Sequence, residues 1–122
     1  MTQENQNKII DEILKSTKSI ALIGASVKQE RPSNSVMRNL INRGYLVFPV
    51  NPGHAGGQIL GQKCYANMLE IPYQIDMVDV FRDSKAVPEI VEDAIKCQVK
   101  TVWLQLDIGH REAENKAKKN GI

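Results

Sequence analysis

The amino-acid sequence predicts a single α/β domain, a Rossmann-like, doubly wound parallel sheet with helices on both faces. Apolar runs of strand type alternate with amphipathic helical stretches along all 122 residues, without an internal repeat or a linker. Each strand and its following helix take up about 25–30 residues, which is typical of parallel strands joined by right-handed crossovers. We therefore expect one domain over residues 1–122, with an N-terminal amphipathic helix in 1–15 and the core in 16–122.

The first half of the chain alternates between helix and strand patterns. Residues 4–15 carry isoleucine and leucine at helical spacing, which predicts an amphipathic helix. Residues 19–23 are an almost unbroken apolar run, which suits a strand that is buried on both faces. Ser33 can cap the next helix, and Gly44 can end it. The second strand is predicted at 45–50.

A glycine-rich stretch separates the two halves. Pro49 removes one hydrogen-bond donor near the end of the second strand. Residues 51–62 hold four of the eight glycines, so we expect a loop that is the most mobile part of the domain. A short strand at 63–65 can follow this loop.

The second half repeats the alternation. Residues 75–81 predict a strand that contains two aspartates, and a helix begins at about Ser84 with apolar residues along one face. Residues 99–106 form the last clear strand. The final helix, at about 110–120, has glutamates early and lysines late, an order that complements the helix dipole.

The composition excludes several classes of protein. Sixteen basic and fourteen acidic residues give a net charge of +2, which is too small for a dedicated nucleic-acid-binding protein. The chain begins without the apolar segment of a secretory signal, and no apolar run approaches the roughly 20 residues that span a bilayer. We therefore expect a cytoplasmic protein with neither nucleic acid nor membrane as a partner. The two cysteines and two histidines lack metal-ligand spacing, so no metal site is expected.

Candidate binding residues follow the predicted strands. In a doubly wound sheet the carboxyl ends of the strands meet at one ligand crevice. The residues at these ends are Gly24, Ala25, Ser26, Asn51, Pro52, His54, Phe81, Arg82 and Gln105. We expect these segments to converge.

The turn after the first strand favours a phosphate. Its glycine lets the backbone approach a ligand closely, and the following helix presents unpaired N–H groups. Lys28 and Arg31 can add positive charge, and Ser33 and Ser35 can add hydroxyl donors. The alternative is a plain strand-to-helix turn in which Ser33 only caps the helix.

The end of the second strand argues against a standard NAD site. The chain lacks the G-x-G-x-x-G pattern and the P-loop pattern. Asn51 stands where an NAD-binding unit usually places an acid for the ribose diol, and His54 is a nearby potential cation. A phosphorylated ribose, as in NADP or coenzyme A, fits this pattern better. The alternative for His54 is a solvated loop histidine.

No catalytic constellation is evident in the sequence. Asp76 and Asp79 are three residues apart in a predicted strand, so they point to opposite faces and cannot pair. Asp79 is interpreted as a hydrogen-bonded structural acid, and Cys64 as an inert buried thiol. Ser26 lacks a partner base. These features favour a binding protein over an enzyme.

A series of short motifs runs in order along residues 15–122. The motifs include Ile23-Gly24-Ala25-Ser26, Arg31-Pro32-Ser33, Pro49-Val50-Asn51-Pro52, Gly61-x-Lys63-Cys64-Tyr65, Val78-Asp79-Val80-Phe81-Arg82 and Trp103-Leu104-Gln105-Leu106. In this order and spacing the chain resembles the small stand-alone CoA-binding domain family of bacteria. The same Rossmann module forms the CoA-binding part of the succinyl-CoA synthetase α subunit and of related acyl-CoA synthetases.

The resemblance implies coenzyme A or an acyl-CoA as the ligand. It implies that Gly24, Ala25 and Ser26 hold the CoA diphosphate. It also implies that Phe81 and Arg82 flank the adenosine end.

The family pattern also covers the second and last strand ends, with two departures. The stretch from Asn51 resembles one in which a Pro-Gly-Lys lysine meets a CoA phosphate, and His54 replaces that lysine here. Gln105 is implied to lie near the ligand, but Asp107 stands where relatives usually carry glycine. Relatives also usually continue past Ile122 with another strand, so we expect an exposed sheet edge.

The main hypothesis is therefore a protein that binds CoA or an acyl-CoA without catalysis of its own. Two alternatives remain open. One is an NADP-linked oxidoreductase or a fragment of one, because the acid after the second strand is missing. The other is a subunit that lends its CoA site to a separate acyl-CoA synthetase partner.

Overall fold

The structure is a computed structural model that describes residues 13, 15–105 and 111–122. Its strands and helices are β1 (Ser19–Ile23), α1 (Pro32–Asn42), β2 (Leu46–Val50), β3 (Gln58–Ile59), β4 (Gln62–Lys63), β5 (Met77–Val80), α2 (Val87–Lys96), β6 (Thr101–Leu104) and α3 (Arg111–Lys119). Short 3₁₀ turns lie at Pro52–His54, Met68–Glu70 and Ser84–Ala86. The predicted N-terminal helix falls mostly outside the described residues, although residues 13, 15 and 16 are helical.

A parallel sheet forms the centre of the domain. Its strand order is β2-β1-β5-β6, and each neighbouring pair is parallel. The chain first moves outward from β1 to β2 and then crosses back to β5 on the other side of β1. The order therefore reverses between β1 and β5, where ligands bind in doubly wound folds.

Helices cover both faces of this sheet, which confirms the predicted fold class. Leu22 of β1 packs in one cluster with Met37 of α1. The neighbouring residues Ala21 and Ile23 point to the opposite face and pack with Ile90 of α2. Alternate residues of β1 thus enter two apolar cores, which explains why its sequence is a continuous apolar run. Helix α3 packs on α2 through small residues on its inner face.

The start of α1 differs from the prediction. The helix begins at Pro32, and Arg31 is the capping residue without a side-chain hydrogen bond, so the prediction of Ser33 as N-cap is wrong. Proline fixes a helical φ and lacks the N–H that would be unpaired at this position. Ser33 is instead a buried residue of the first turn. At the other end, Gly44 has a φ of +93° and ends the helix as predicted.

Pro49 lies in β2 without disrupting the pairing of β2 with β1. Leu46 N–H donates to Lys18 O, and Val50 O accepts from Gly24 N–H, so alternate residues of β2 face β1. Pro49 faces the outer edge, where its carbonyl accepts from Tyr65 N–H at 3.0 Å. The missing N–H is therefore lost from an edge position, and the expected loss of a ladder donor does not affect the central sheet.

The stretch predicted as a loop at 51–62 contains regular structure. Strands β3 and β4 form a small antiparallel ladder, and Pro52–His54 forms a 3₁₀ turn. Cys64 closes the hairpin, since its N–H donates to Gly57 O and its carbonyl accepts from Gly56 N–H. The predicted short strand at 63–65 is confirmed in part by β4 and by a bridge between Tyr65 and Val50.

The remaining elements agree with the sequence in type and differ at their ends. Strands β5 and β6 are shorter than predicted, and a 3₁₀ turn precedes α2. Among the described residues β6 pairs with β5 alone, so its other side forms one edge of the sheet. Asp107 lies outside the described residues. Within the described ranges, no helix has the length and apolar character needed to cross a membrane.

Candidate functional site

A cleft of about 840 Å³ opens at the carboxyl ends of the strands. Its walls come from the turn after β1, the end of β2, the turn after β5 and the first half of α2. Ten of the twelve predicted site residues line it: Gly24, Ala25, Ser26, Lys28, Arg31, Ser33, Asn51, Pro52, Phe81 and Arg82. The cleft lies at the topological switch point, and its volume is within the usual range for small-molecule sites.

Gly24 brings two strand ends into direct contact. Its φ is +87°, and a Cβ at this position would lie 2.5 Å from Phe81 O and 3.2 Å from Arg82 Cδ. Its N–H donates to Val50 O at 2.9 Å. Only glycine tolerates both the backbone conformation and this close approach. The residue therefore joins the ends of β1, β2 and β5 below the cleft.

The turn after Gly24 is held by side chains from two other segments. Asn51 Nδ2 donates to Ala25 O at 2.8 Å, and its Oδ1 accepts from Gly53 N–H at 2.9 Å. Asn34 Nδ2 donates to Ser26 O at 2.9 Å. Ser26 Oγ accepts from the backbone N–H of Lys28 at 3.1 Å. The amide of Asn51 is thus engaged with the backbone and does not replace the missing ribose-binding acid.

Three cations lie around the mouth of the cleft. Lys28, Arg31 and Arg82 are exposed and line it. In the part of the chain that the structure describes, the ion pairs involve Lys100 and Lys116, and none involves these three side chains. Their positive charge is therefore available to an anionic ligand.

The opposite wall is apolar with an acidic border. Ile90 of α2, Met68 and Val50 contribute apolar surface. Glu89 and Asp93 follow each other by one helical turn along the same wall. Burial, and secondly the charge of Glu89, raises the pKa of the Asp93 carboxyl. The cleft is therefore amphipathic, with cations in the turns after β1 and β5 and carboxyls on the α2 side.

Two predicted site residues do not line the cleft. His54 Nε2 lies 3.1 Å from Gln58 O, so the imidazole folds back onto its own loop. Gln105 Nε2 donates to Asp79 Oδ1 at 2.7 Å. Asp79 is buried, and burial raises its pKa to about 6, against a smaller lowering by the Gln105 hydrogen bond. The interpretation of Asp79 as a hydrogen-bonded acid fits this geometry.

The remaining candidates for chemistry are separated from each other. Asp76 precedes β5, and its carboxylate accepts hydrogen bonds from the N–H groups of Lys18 and Ser19. Asp79 instead accepts from Gln105, so the two aspartates have separate partners. Cys64 is buried, and burial raises the pKa of its thiol. Its Sγ lies 3.6 Å from Asn51 O and does not line the cleft. Within the described ranges, no group of three or more His, Cys, Asp or Glu is placed to hold a metal ion.

Sequence reasoning missed Asn34, Glu89 and Asp93. A signal for Asn34 exists in the helical pattern, because it lies three residues before the buried Met37 on the inner face of α1. A polar side chain at an apolar position indicates a specific hydrogen-bond partner. Glu89 and Asp93 gave no such signal, since acidic residues on a helix are usually solvated.

Comparison with known proteins decides the family. The sequence profile of the CoA binding domain family matches residues 18–122. The chain belongs to the CoA binding domain family. The uncharacterized protein YneT of Bacillus subtilis is 34% identical over 92% of this chain and 82% of its own length. A hypothetical protein of Pyrococcus horikoshii has a solved structure with a TM-score of 0.91 and 46% identity, covering 95% of this chain and 80% of that one.

The same domain also occurs inside a larger ligase. The α subunit of ADP-forming acetate–CoA ligase I of Pyrococcus furiosus is 38% identical over 75% of this chain. This chain corresponds to 21% of the length of that subunit. The resemblance to a stand-alone CoA-binding domain that also forms part of acyl-CoA synthetases is therefore confirmed at the level of the family.

Proposed function

We propose that this protein binds coenzyme A or an acyl-CoA in the cleft at the carboxyl ends of its strands, without catalysing a reaction. One observation carries the proposal: three unpaired cations, Lys28, Arg31 and Arg82, border a cleft whose opposite wall is apolar with an acidic border. Coenzyme A combines a diphosphate and a ribose phosphate with an aromatic adenine base, whose ring faces can pack on apolar side chains. The family membership supports this ligand class.

The shape of the turn after β1 supports the placement of the diphosphate. Gly24 allows the backbone to approach the floor of the cleft closely, and Ser33 lies in the first turn of α1 at the border of the cleft. Pro32 has no N–H, and the N–H groups of Asn34 and Ser35 donate to Arg31 O, so the start of α1 favours a phosphate mainly through the helix dipole. Lys28 and Arg31 then add charge on the same side.

The proposal of a non-catalytic role rests on where the reactive side chains lie. Ser26 Oγ already accepts a hydrogen bond from Lys28 N–H. His54 contacts Gln58 O, and the Cys64 sulfur faces Asn51 O, so neither reaches the cleft. A nucleophile needs an adjacent base, and this arrangement of the described residues does not bring the two together.

We place this binding protein in the cytoplasm. Both cysteines, Cys64 and Cys97, are free thiols in the structure. Free thiols are typical of a reducing compartment.

Thermal unfolding with four ligands in parallel tests the proposal. A ligand at about 100 times its Kd adds roughly 2.7 kcal/mol of apparent stability, which raises the Tm of a domain of this size by several degrees. We expect a Tm increase with CoA and a smaller one with dephospho-CoA. An increase with NADP alone would favour the oxidoreductase alternative, and no increase with any of CoA, dephospho-CoA, NADP or NAD would contradict the proposal.

A second candidate function is that of a subunit that provides the CoA site of a ligase assembled with a separate partner subunit. The similarity to the α subunit of an ADP-forming acetate–CoA ligase favours it. Affinity purification from native extract, with and without added CoA, tests this candidate. Recovery of an acyl-CoA synthetase-type protein in a fixed ratio supports it, and recovery of the domain alone under both conditions contradicts it.

A further inference from the structure

Two asparagine side chains hold consecutive carbonyl groups of the turn after β1. Asn51 Nδ2 donates to Ala25 O at 2.8 Å, and Asn34 Nδ2 donates to Ser26 O at 2.9 Å. Asn51 comes from the end of β2 and Asn34 from α1, so the turn is held between two elements. Asn34 is 1% exposed and does not line the cleft.

The orientation of the Asn34 amide is itself fixed. Its Oδ1 accepts a hydrogen bond from Arg38 Nη2 at 2.7 Å, one helical turn further along α1. A guanidinium can only donate, so it selects the oxygen end of the amide. The nitrogen end is then left to face Ser26 O.

Holding these two carbonyls also determines the direction of two N–H groups. The described peptide bonds are trans, and in a trans peptide the carbonyl and the following N–H point in opposite directions. Ala25 O shares a peptide unit with the N–H of Ser26, and Ser26 O shares one with the N–H of Val27. Both N–H groups therefore point away from the asparagine amides.

These two N–H groups differ from their neighbours in having no described partner. The N–H groups of Gly24 and Ala25 both donate to Val50 O, at 2.9 and 3.3 Å. Within the described residues, the N–H groups of Ser26 and Val27 donate to none. Successive unpaired N–H groups in a turn form an anion-binding concavity.

We propose that Asn34 is a positioning residue for the anionic part of the ligand, acting through the Ser26 carbonyl to aim the Val27 N–H, while Asn51 does the same for the Ser26 N–H. The ligand chemistry is a phosphate or diphosphate group. This proposal rests on the proposed function, since Ser26 and Lys28 on either side of Val27 line the same cleft, although Val27 itself is not among its lining residues. The proposal adds Asn34, a buried residue that does not contact the ligand but orients the backbone N–H groups that bind it.

Titration with inorganic pyrophosphate, followed by ¹H–¹⁵N NMR, tests the proposal. In the wild-type protein the amide signals of Ser26 and Val27 shift downfield as pyrophosphate is added. Asn34→Ala raises the Kd for pyrophosphate about tenfold, because a hydrogen bond to a charged group is a strong one, and reduces the Val27 shift. Asn39 is an exposed asparagine on the same helix, so Asn39→Ala serves as the matched control. This variant leaves the pyrophosphate Kd and the Val27 amide shift unchanged.

A second variant keeps the test decisive if Asn34→Ala does not fold. Arg38 is exposed and outside the cleft, so Arg38→Met retains the Asn34 side chain but releases its orientation. We expect a rise in the pyrophosphate Kd of about threefold in this variant, less than for the loss of the amide itself. Unchanged pyrophosphate affinity and unchanged Ser26 and Val27 shifts in a folded Asn34→Ala or Arg38→Met protein would overturn the positioning role.

The wild-type titrations separate this inference from the proposed function. Pyrophosphate binding at Ser26 and Val27 together with CoA binding supports both. Pyrophosphate binding without CoA binding overturns the proposed function and leaves the anion site in place. CoA binding that leaves the Ser26 and Val27 amide signals unshifted overturns the inference alone.

Discussion

The two ends of the parallel sheet differ in whether their polar groups have partners within the protein. At the amino end, the Asp76 carboxylate accepts hydrogen bonds from the N–H groups of Lys18 and Ser19 and lies 3.5 Å from the Lys100 ammonium. At the carboxyl end, the N–H groups of Ser26 and Val27 donate to no described residue, and three cations around them are unpaired.

This difference agrees with the proposed ligand cleft at the carboxyl end. A fold normally satisfies its buried polar groups internally, as the amino end does here. The N–H groups and cations at the carboxyl end make no described contact within the protein, and this arrangement is the one that the proposed anionic ligand requires. Substitutions at the amino end should therefore change stability alone, and those at the carboxyl end should change binding.

The largest effect is expected at Gly24, a residue at which a substitution should change both the stability of the fold and the binding of the ligand. Gly24→Ala places a methyl group 2.5 Å from Phe81 O at a φ of +87°. The left-handed backbone and the steric overlap together should lower the free energy of unfolding by more than about 3 kcal/mol. Urea unfolding measures the stability, and a CoA titration of the remaining folded protein should show weakened binding.

Gly44→Ala is the matched control for this substitution. Gly44 has a similar φ of +93°, but a Cβ there meets no atom within 4 Å. Only the backbone strain remains, which costs about 1 kcal/mol. Equal destabilisation by the two substitutions would show that contact between the ends of β1 and β5 is unimportant.

The next largest effect concerns Asp79, which lies inside the sheet between the two ends. Burial raises its pKa from 3.8 to about 6, so the folded protein holds a proton that the unfolded chain has lost between these pH values. Stability therefore falls as pH rises through this window, by up to about 3 kcal/mol, and stays lower above it. Asp79→Asn keeps an acceptor for Gln105 and removes the titration, so it should stabilise the protein at pH 7.5.

The pH dependence of this difference provides the control. At pH 4 the wild-type carboxyl is mostly protonated when folded, and the two proteins should have nearly equal free energies of unfolding. Urea unfolding at pH 4 and pH 7.5 measures both proteins under matched conditions. A stability difference that does not change with pH would contradict the raised pKa of Asp79.

A smaller loss is expected at Asp76, at the satisfied end of the sheet. Asp76→Ala leaves the N–H groups of Lys18 and Ser19 without their acceptor and should cost about 2 kcal/mol. Burial opposes ionisation of Asp76, but these N–H groups and Lys100 outweigh it and lower its pKa. Its stabilising contribution is therefore present above about pH 4 and is lost as the pH falls through the lowered pKa. CoA affinity, measured calorimetrically at pH 7.5, should be unchanged; a clear loss would contradict the separation of the two ends.

The sequence predicts the fold because its apolar runs and amphipathic helical patterns are long enough to be recognised. The apolar run of β1 and the amphipathic face of α2 identify a parallel sheet with helices on both sides. The two-residue strands β3 and β4 are too short to show a period, so their stretch is predicted as a loop. Boundaries are misplaced where backbone geometry decides them, as at the start of α1.

The site is predicted in position but not in its internal contacts. Strand ends converge by topology alone, so glycine, serine and basic residues at those ends are found from the sequence. The partners of His54 and Gln105 are Gln58 O and Asp79, which spacing along the chain does not reveal. The helical pattern can indicate Asn34 as a polar residue on the inner face of α1, but it does not reveal the partner, a carbonyl eight residues away in sequence.

The smallest effects are expected for the exposed cations at the mouth of the cleft. Lys28→Gln and Arg31→Gln remove a positive charge without removing a described ion pair. Each should weaken CoA binding about threefold at low salt and leave the free energy of unfolding unchanged, because exposed charges act through a screened field.

The salt dependence of binding distinguishes this electrostatic role from a general loss of charge. Lys63→Gln is the matched control, since Lys63 is exposed, lies over the Tyr65 ring and does not line the cleft. Binding of CoA to wild type should weaken as salt rises, and less steeply in Lys28→Gln and Arg31→Gln. If Lys63→Gln weakens binding as much as the other two, net charge rather than position governs the affinity. If only the cleft variants do, the unpaired cations at the carboxyl end of the sheet contact the anionic groups of the ligand.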